Sequence, residues 1–126
     1  MATETLVSNQ IEEGKKLLEL LDRKGLRVRM ALWLNTPEND DWRLLFALPH
    51  INQEGSRKTF EIIQQLIVAN NVNLSLGVIS LIDDSNDLYK LLRNTIVTGP
   101  TITTIHFLGN FINGQRFPDS IIYRVD

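Results

Sequence analysis

At 126 residues and 14.4 kDa the chain has the length of one domain, because either half alone would bury too little surface to fold comfortably. Apolar residues make up 43% and charged residues 22%, with 4 prolines and 7 glycines, which excludes collagen-like, low-complexity and disordered chains. The 13 basic and 15 acidic residues leave a formal charge of −2, so no global field favours nucleic acid or an anionic membrane, and the absence of cysteine removes disulfides, thiolate nucleophiles and cysteine-ligated metals.

Residues 1–7 read as a flexible tail ahead of a single domain that takes up the rest of the chain. The opening segment carries no basic start followed by an apolar run, so no secretion signal is expected, and the Asn73-Leu74-Ser75 sequon gains no weight from it. With no cysteine and no such signal, a cytoplasmic location is expected.

The first element is an amphipathic helix capped by Ser8, with Leu17, Leu18 and Leu21 as its apolar stripe and Gly25 as its stop. Alternation then predicts a strand over Arg27–Leu34, with Val28, Met30, Leu32 and Leu34 on one face and Arg27, Arg29, Ala31 and Trp33 on the other. After the turn-rich 35–41, Trp42–Leu48 completes a hairpin, setting Trp42, Leu44, Phe46 and Leu48 against Arg43, Leu45 and Ala47. Ser56 is a plausible cap for a second helix that Asn70-Asn71 would stop. A strand over Leu76–Ile82, a helix over Asp87–Val97 and two β-branched strands over Ile102–Leu108 and Ser120–Val125 follow. The order α-β-β-α-β-α-β-β, with hairpins at both ends, implies an α+β fold on a mostly antiparallel sheet of about five strands, with the three helices mainly on one face. Two windows, 62–82 and 94–115, hold no Asp, Glu, Lys or Arg, yet their amides, threonines and Gly99-Pro100 set them apart from membrane spans.

Motifs that dictate chemistry are missing. No Gly-x-Ser-x-Gly elbow, Walker lysine or dinucleotide fingerprint is present, so no cofactor is expected. The two histidines, His50 and His106, lack a partner at helical metal spacing, and no metal site is expected. Asp83-Asp84 with Asp87 invites a divalent cation, but acidic residues ahead of a helix are also what capping selects. The acidic turn at 38–41 carries the same two readings. Gly109–Gly114, with Phe111, Arg116 and Phe117, reads as a tight hairpin or as a small recognition surface. Arg27, Arg29 and Arg43 beside Trp33 form the nearest approach to a basic and aromatic patch, which a phosphate, an acidic partner or simple solvation would satisfy. Trp33 and Trp42 read first as packing residues.

The segments Met30–Leu34, Pro37-Glu38, Trp42–Leu45, Thr98-Gly99-Pro100, Gly109–Gly114 and Ile122-Tyr123-Arg124 together resemble a family of small bacterial proteins without an assigned activity. The resemblance covers most of the chain after residue 28 and implies a bacterial, cytoplasmic, stand-alone domain, with no catalytic or binding residue to carry over.

Two functions follow as expectations. The first is association with a protein, as a homodimer or as an accessory subunit, because Ala31, Trp33, Leu45 and Ala47 are expected to share a sheet face that the helices leave open. The second is a ligand-binding protein or enzyme with a pocket at one end of the sheet, drawing on His106, Arg93 and the segment from Asn110 to Arg116 for polar work, while Arg29, Trp33 and Arg43 are binding candidates through the basic and aromatic patch. Nucleic-acid binding through Arg27, Arg29 and Arg43 ranks third, disfavoured by the overall charge.

Overall fold

A computed structural model describes residues 8–36, 38 and 41–126. The expected tail at 1–7 and positions 37, 39 and 40 of the acidic turn lie outside the described residues.

Helix α1 (Ser8–Arg23) ends as its sequence dictates. Gly25 sits at φ +88°, Leu26 N–H reaches back to the Leu21 carbonyl (3.1 Å), and Gly25 N–H bonds the Asp22 carbonyl (3.0 Å), a Schellman arrangement that needs the left-handed residue. Strands β1 (Met30–Thr36) and β2 (Asp41–Leu48) form the expected hairpin. Helix α2 (Gln53–Ala69) is capped four residues before the expected Ser56, because Asn52 Oδ1 accepts from Gly55 N–H (2.8 Å) and takes the capping role. Asn71, at φ +52°, ends the helix where expected, with Val72 N–H on the Ile67 carbonyl.

A 3₁₀ turn at Leu76–Val78 takes the first half of the expected third strand, leaving β3 as Ile79–Asp83. Helix α3 (Asp87–Arg93) is capped by Asn86 and is four residues shorter than its apolar spacing suggests. The run Thr95-Ile96-Val97-Thr98 is β-branched, a poor helical sequence, and Thr98 N–H leaves to bond the Val125 carbonyl (2.8 Å). Strand β4 (Ile105–Phe107) pairs with β7 (Ser120–Val125), and between them β5 (Phe111–Ile112) and β6 (Gln115–Arg116) make a separate two-stranded arm.

The fold is α+β, with a five-stranded sheet in the order β3-β2-β1-β7-β4. All its pairs are antiparallel except β2–β3, which α2 connects as a crossover. Helices α1 and α2 bring Leu17, Leu18, Leu21 and Ile63 onto one face, against Ala31, Trp33, Leu44, Phe46 and Tyr123. Helix α3 covers the other, setting Tyr89 and Leu92 on Met30, Leu32, Leu45, Ala47 and Ile122, with Phe117 added from the arm side.

That second layer overturns the expected open face. Trp33 is opposite Leu44, and Leu32 opposite Leu45, so Ala31 and Trp33 lie under α1 whereas Leu45 and Ala47 lie under α3. Each strand alternates as expected, but joining the two strands requires the register, and a one-residue slip exchanges the faces. Trp33 is fully buried and is no binding surface.

A β-bulge decides how α1 sits. The β1–β7 register shifts between Ala31 and Leu32, and Tyr123 and Arg124, consecutive in β7, both bond to α1. Trp33 Nε1–H donates to Tyr123 Oη (2.9 Å), and that hydroxyl donates to the Ile11 carbonyl (2.5 Å). Burial pushes the Tyr123 phenol well above the usual tyrosine range, so it stays protonated as that donor. Tyr123→Phe should cost about 1–3 kcal/mol in urea unfolding, since it strands a buried indole N–H and a helix carbonyl together. A cost near zero would mean that water replaces the hydroxyl.

Candidate functional site: a basic cleft at the end of the sheet

Two open clefts of the described structure differ in their charge. The larger, of about 470 Å³, lies between the end of α1 and the start of β1, lined by Asp22, Arg27, Pro100, Arg124 and Asp126 among others. Its two arginines face two aspartates, and Arg124 is already engaged in four hydrogen bonds. Its guanidinium bonds both Asp22 carboxylate oxygens (3.0 and 2.7 Å), the Pro100 carbonyl (2.9 Å) and the Val28 carbonyl (3.1 Å). This arrangement holds α1 to β7 and commits Arg124 to the fold.

The second cleft, of about 420 Å³, opens beside α3 at the sheet end formed by the start of β1 and the end of β3. It is lined by Arg29, Asp84, Tyr89, Lys90, Arg93 and Asn94, so three cationic side chains and one acidic side chain line it in a chain that is acidic overall. Helix α3 sets its orientation: Tyr89 and Leu92 point into the core, and Lys90 and Arg93, three residues apart, share the exposed side.

Arg29 is the fixed part of this group. Its guanidinium lies 5.7 Å from the Tyr89 ring centroid, and Nε bonds the Asp126 backbone oxygen at 3.4 Å. Tyr89 Oη donates to the same oxygen (2.5 Å), so the ring under the arginine is held as well. The Asp84 carboxylate stands 3.6 Å from Nη1, longer than the 2.7–2.9 Å of a strong charge-assisted bond, and Nη2 has no partner among the described residues. Lys90 and Arg93 make no ion pair or side-chain hydrogen bond among the described residues. Bases near a helix C-terminus offset its dipole, but a helix of seven residues has little of that to offer, and Arg29 comes from β1 and plays no such part. In chemical terms the arrangement suits an anion: a guanidinium held by Tyr89 and the Asp126 oxygen lines one opening with the exposed side chains of Lys90, Arg93 and Asn94.

Of the expected site residues, Arg29 and Arg93 meet here, and the others lie elsewhere. Arg43 links β2 to β3 by bonds to Ser80 Oγ (2.7 Å) and the Ile79 carbonyl (3.3 Å). Arg27 lines the other cleft and Trp33 lies under α1, so the expected basic and aromatic patch does not form. His106 is exposed on β4 opposite Ile121, roughly 16 Å along β7 from Asp126. Asn110 and Arg116 fix the bend of the arm: the Asn110 carbonyl accepts from Phe117 N–H (2.9 Å), and Arg116 pairs with Asp119 (3.3 Å). The carboxylates at 83–84 are committed to the protein. Asp83 accepts from the Ser85 hydroxyl and N–H, which together hold its carboxyl below the usual range, and Asp84 faces Arg29. Among the described residues no three metal-ligating side chains cluster. No helix of the described chain is long and apolar enough to cross a membrane.

Sequence reading missed Lys90 and Tyr89. The available signal was the Lys90/Arg93 spacing without a carboxylate four residues away on the same helix. No family model matches the chain, and comparison with curated proteins and with solved structures finds no similar protein.

Proposed function

We propose that the protein binds a small anionic ligand, of the phosphate or carboxylate class, in the cleft beside α3. The observation that carries this reading is a pair of cations without an ion pair or side-chain hydrogen bond among the described residues, Lys90 and Arg93, lining the same cleft as a guanidinium that Tyr89 and the Asp126 backbone hold in place. Arg29 loses little freedom on binding, and a preoriented planar fork suits an oxyanion. This keeps the expected pocket at one end of the sheet and changes its residues. Association through an open sheet face loses its support, because both faces are covered. We place the protein in the cytoplasm with this reading, where charge retains small phosphorylated and carboxylated solutes.

Calorimetric titration with inorganic phosphate and with malonate, at low ionic strength, separates the two ligand classes. Saturable binding to at least one is expected, weakening as salt screens the cleft. Lys90→Ala and Arg93→Ala should each weaken it about tenfold, a loss of about 1.4 kcal/mol, whereas Arg27→Ala, in the other cleft, should leave it unchanged. Absence of saturable heat from both anions, or an equal loss in the Arg27 variant, would overturn the proposal.

A further inference from the structure

Resting on the anion reading of the cleft beside α3, we infer that its ligand also carries an ammonium a few bonds from the anionic group, and that the Asp84 carboxylate selects it. Asp84 is the one acidic side chain lining that cleft. A site that only holds an anion gains nothing from a carboxylate in its wall, because a partly buried like charge repels what the cations attract.

The roles that acidic residues fill ahead of a helix are taken by the neighbours of Asp84. Asn86 Oδ1 caps α3 by accepting from Leu88 N–H (2.9 Å), and Asp87 stands in the first turn. Asp83 accepts from the Ser85 N–H and hydroxyl. Asp84 contributes its backbone, with its N–H on the Leu48 carbonyl (3.0 Å) at the end of β2, so the root of the side chain is fixed to the sheet. Nor does Arg29 depend on this carboxylate for its orientation, since the Tyr89 ring and the Asp126 backbone oxygen already hold the guanidinium. The contact of Asp84 Oδ2 with Nη1 is 3.6 Å, too long for a strong charge-assisted bond, and Oδ1 accepts no hydrogen bond among the described residues.

The Asp84 side chain is only 19% exposed, so its carboxylate is short of both water and protein donors. An ammonium supplies what is missing, a positive charge and three donors together. Three cationic side chains against one acidic one keep the cleft positive, so the anionic group remains the main anchor and the ammonium the discriminating one. Asp84 and Arg29 are in contact, which sets the acceptor for the ammonium beside a donor for the anion. The two ligand groups must therefore be close in the molecule, because a long spacer would carry the ammonium past Asp84.

Phosphoethanolamine against ethyl phosphate, and β-alanine against propionate, are pairs that differ by the ammonium alone. Calorimetric titration of the full chain uses low ionic strength and about pH 8, where the second phosphate ionisation, with a pKa of about 6, is complete. The ammonium-bearing member of at least one pair should bind about tenfold tighter. Asp84→Asn should weaken that member and tighten its plain counterpart, whereas loss of a simple counter-ion would tighten both. Wild-type binding no tighter for the ammonium-bearing member of either pair, or tightening of both members in Asp84→Asn, would overturn the ligand class. The anion cleft itself would then still stand if inorganic phosphate or malonate bound and depended on Lys90 and Arg93; silence from those two anions as well would overturn both readings. If Asp84→Asn fails to fold, the Asp84 carboxyl-carbon NMR signal of the wild type decides. Its displacement by the ammonium-bearing probe and not by the plain one supports the assignment, and equal displacement by both contradicts it.

Discussion

Gly14→Ala is expected to destabilise the protein by about 2 kcal/mol, although alanine is the better helix former by about 1 kcal/mol. Gly14 is buried at the middle of α1 and rides directly on the Trp33–Tyr123 pair. A Cβ built there would stand 2.5 Å from Tyr123 Oη and 2.8 Å from Trp33 Nε1. Both rings are fully buried, and their hydrogen bond fixes the polar ends that the new methyl would meet. Neither can swing aside as an exposed lysine would. The relief left is for α1 to lift, which opens its contact with the sheet and breaks the Tyr123 bond to the Ile11 carbonyl. Urea unfolding measures the cost, and a variant as stable as the parent would show that the helix shifts without penalty. Combined with Tyr123→Phe, the alanine should cost less than the two losses summed, because one clash partner has been removed.

Asp22→Ala should cost about 3 kcal/mol, the largest single effect expected here. The Arg124 side chain is only 7% exposed, and Asp22 alone neutralises it. Removing that carboxylate leaves a buried guanidinium with the carbonyls of Val28 and Pro100, which accept its hydrogen bonds and cannot offset its charge. Asp22 is 35% exposed, so water entering at that side keeps the loss at the lower end for buried pairs. Arg124→Leu provides the contrast. It removes the buried charge and exposes only a surface carboxylate, and should be clearly milder than Asp22→Ala. Equal costs would mean that the pair acts through geometry and not through the uncompensated charge.

Local signals in the sequence carried far. Gly25 and Asn71 stop their helices by the left-handed conformations their types suggest, and Asn113-Gly114 makes the tight hairpin that its composition implies. What stayed hidden was everything that depends on register. Alternation assigned Trp33 and Leu45 each to a face of its own strand, but no residue in the 35–41 turn fixes which faces coincide; the register puts Trp33 in the core under α1, as its reading as a packing residue had it, and Leu45 on the opposite face. The bulge at Tyr123 and Arg124 was hidden for a related reason: two adjacent side chains on one side of a strand break the alternation that reading depends on. The cleft assembles Arg29 with Lys90 and Arg93 across some sixty residues of chain, a meeting that only the β1 start and α3 packing produce. Arg29 attracted notice as a strand arginine and Arg93 as a polar helical residue, but no local pattern tied them together.

Binding of an anion among Arg29, Lys90 and Arg93, as proposed, can be followed side chain by side chain in an NMR titration with inorganic phosphate. The Nε–H signals of Arg29 and Arg93 and the amide of Asn94 are expected to shift along one saturable curve, while the Arg27 and Arg43 Nε–H signals stay in place. Shifts spread over all the arginines without saturation, or confined to Arg27 in the other cleft, would contradict it.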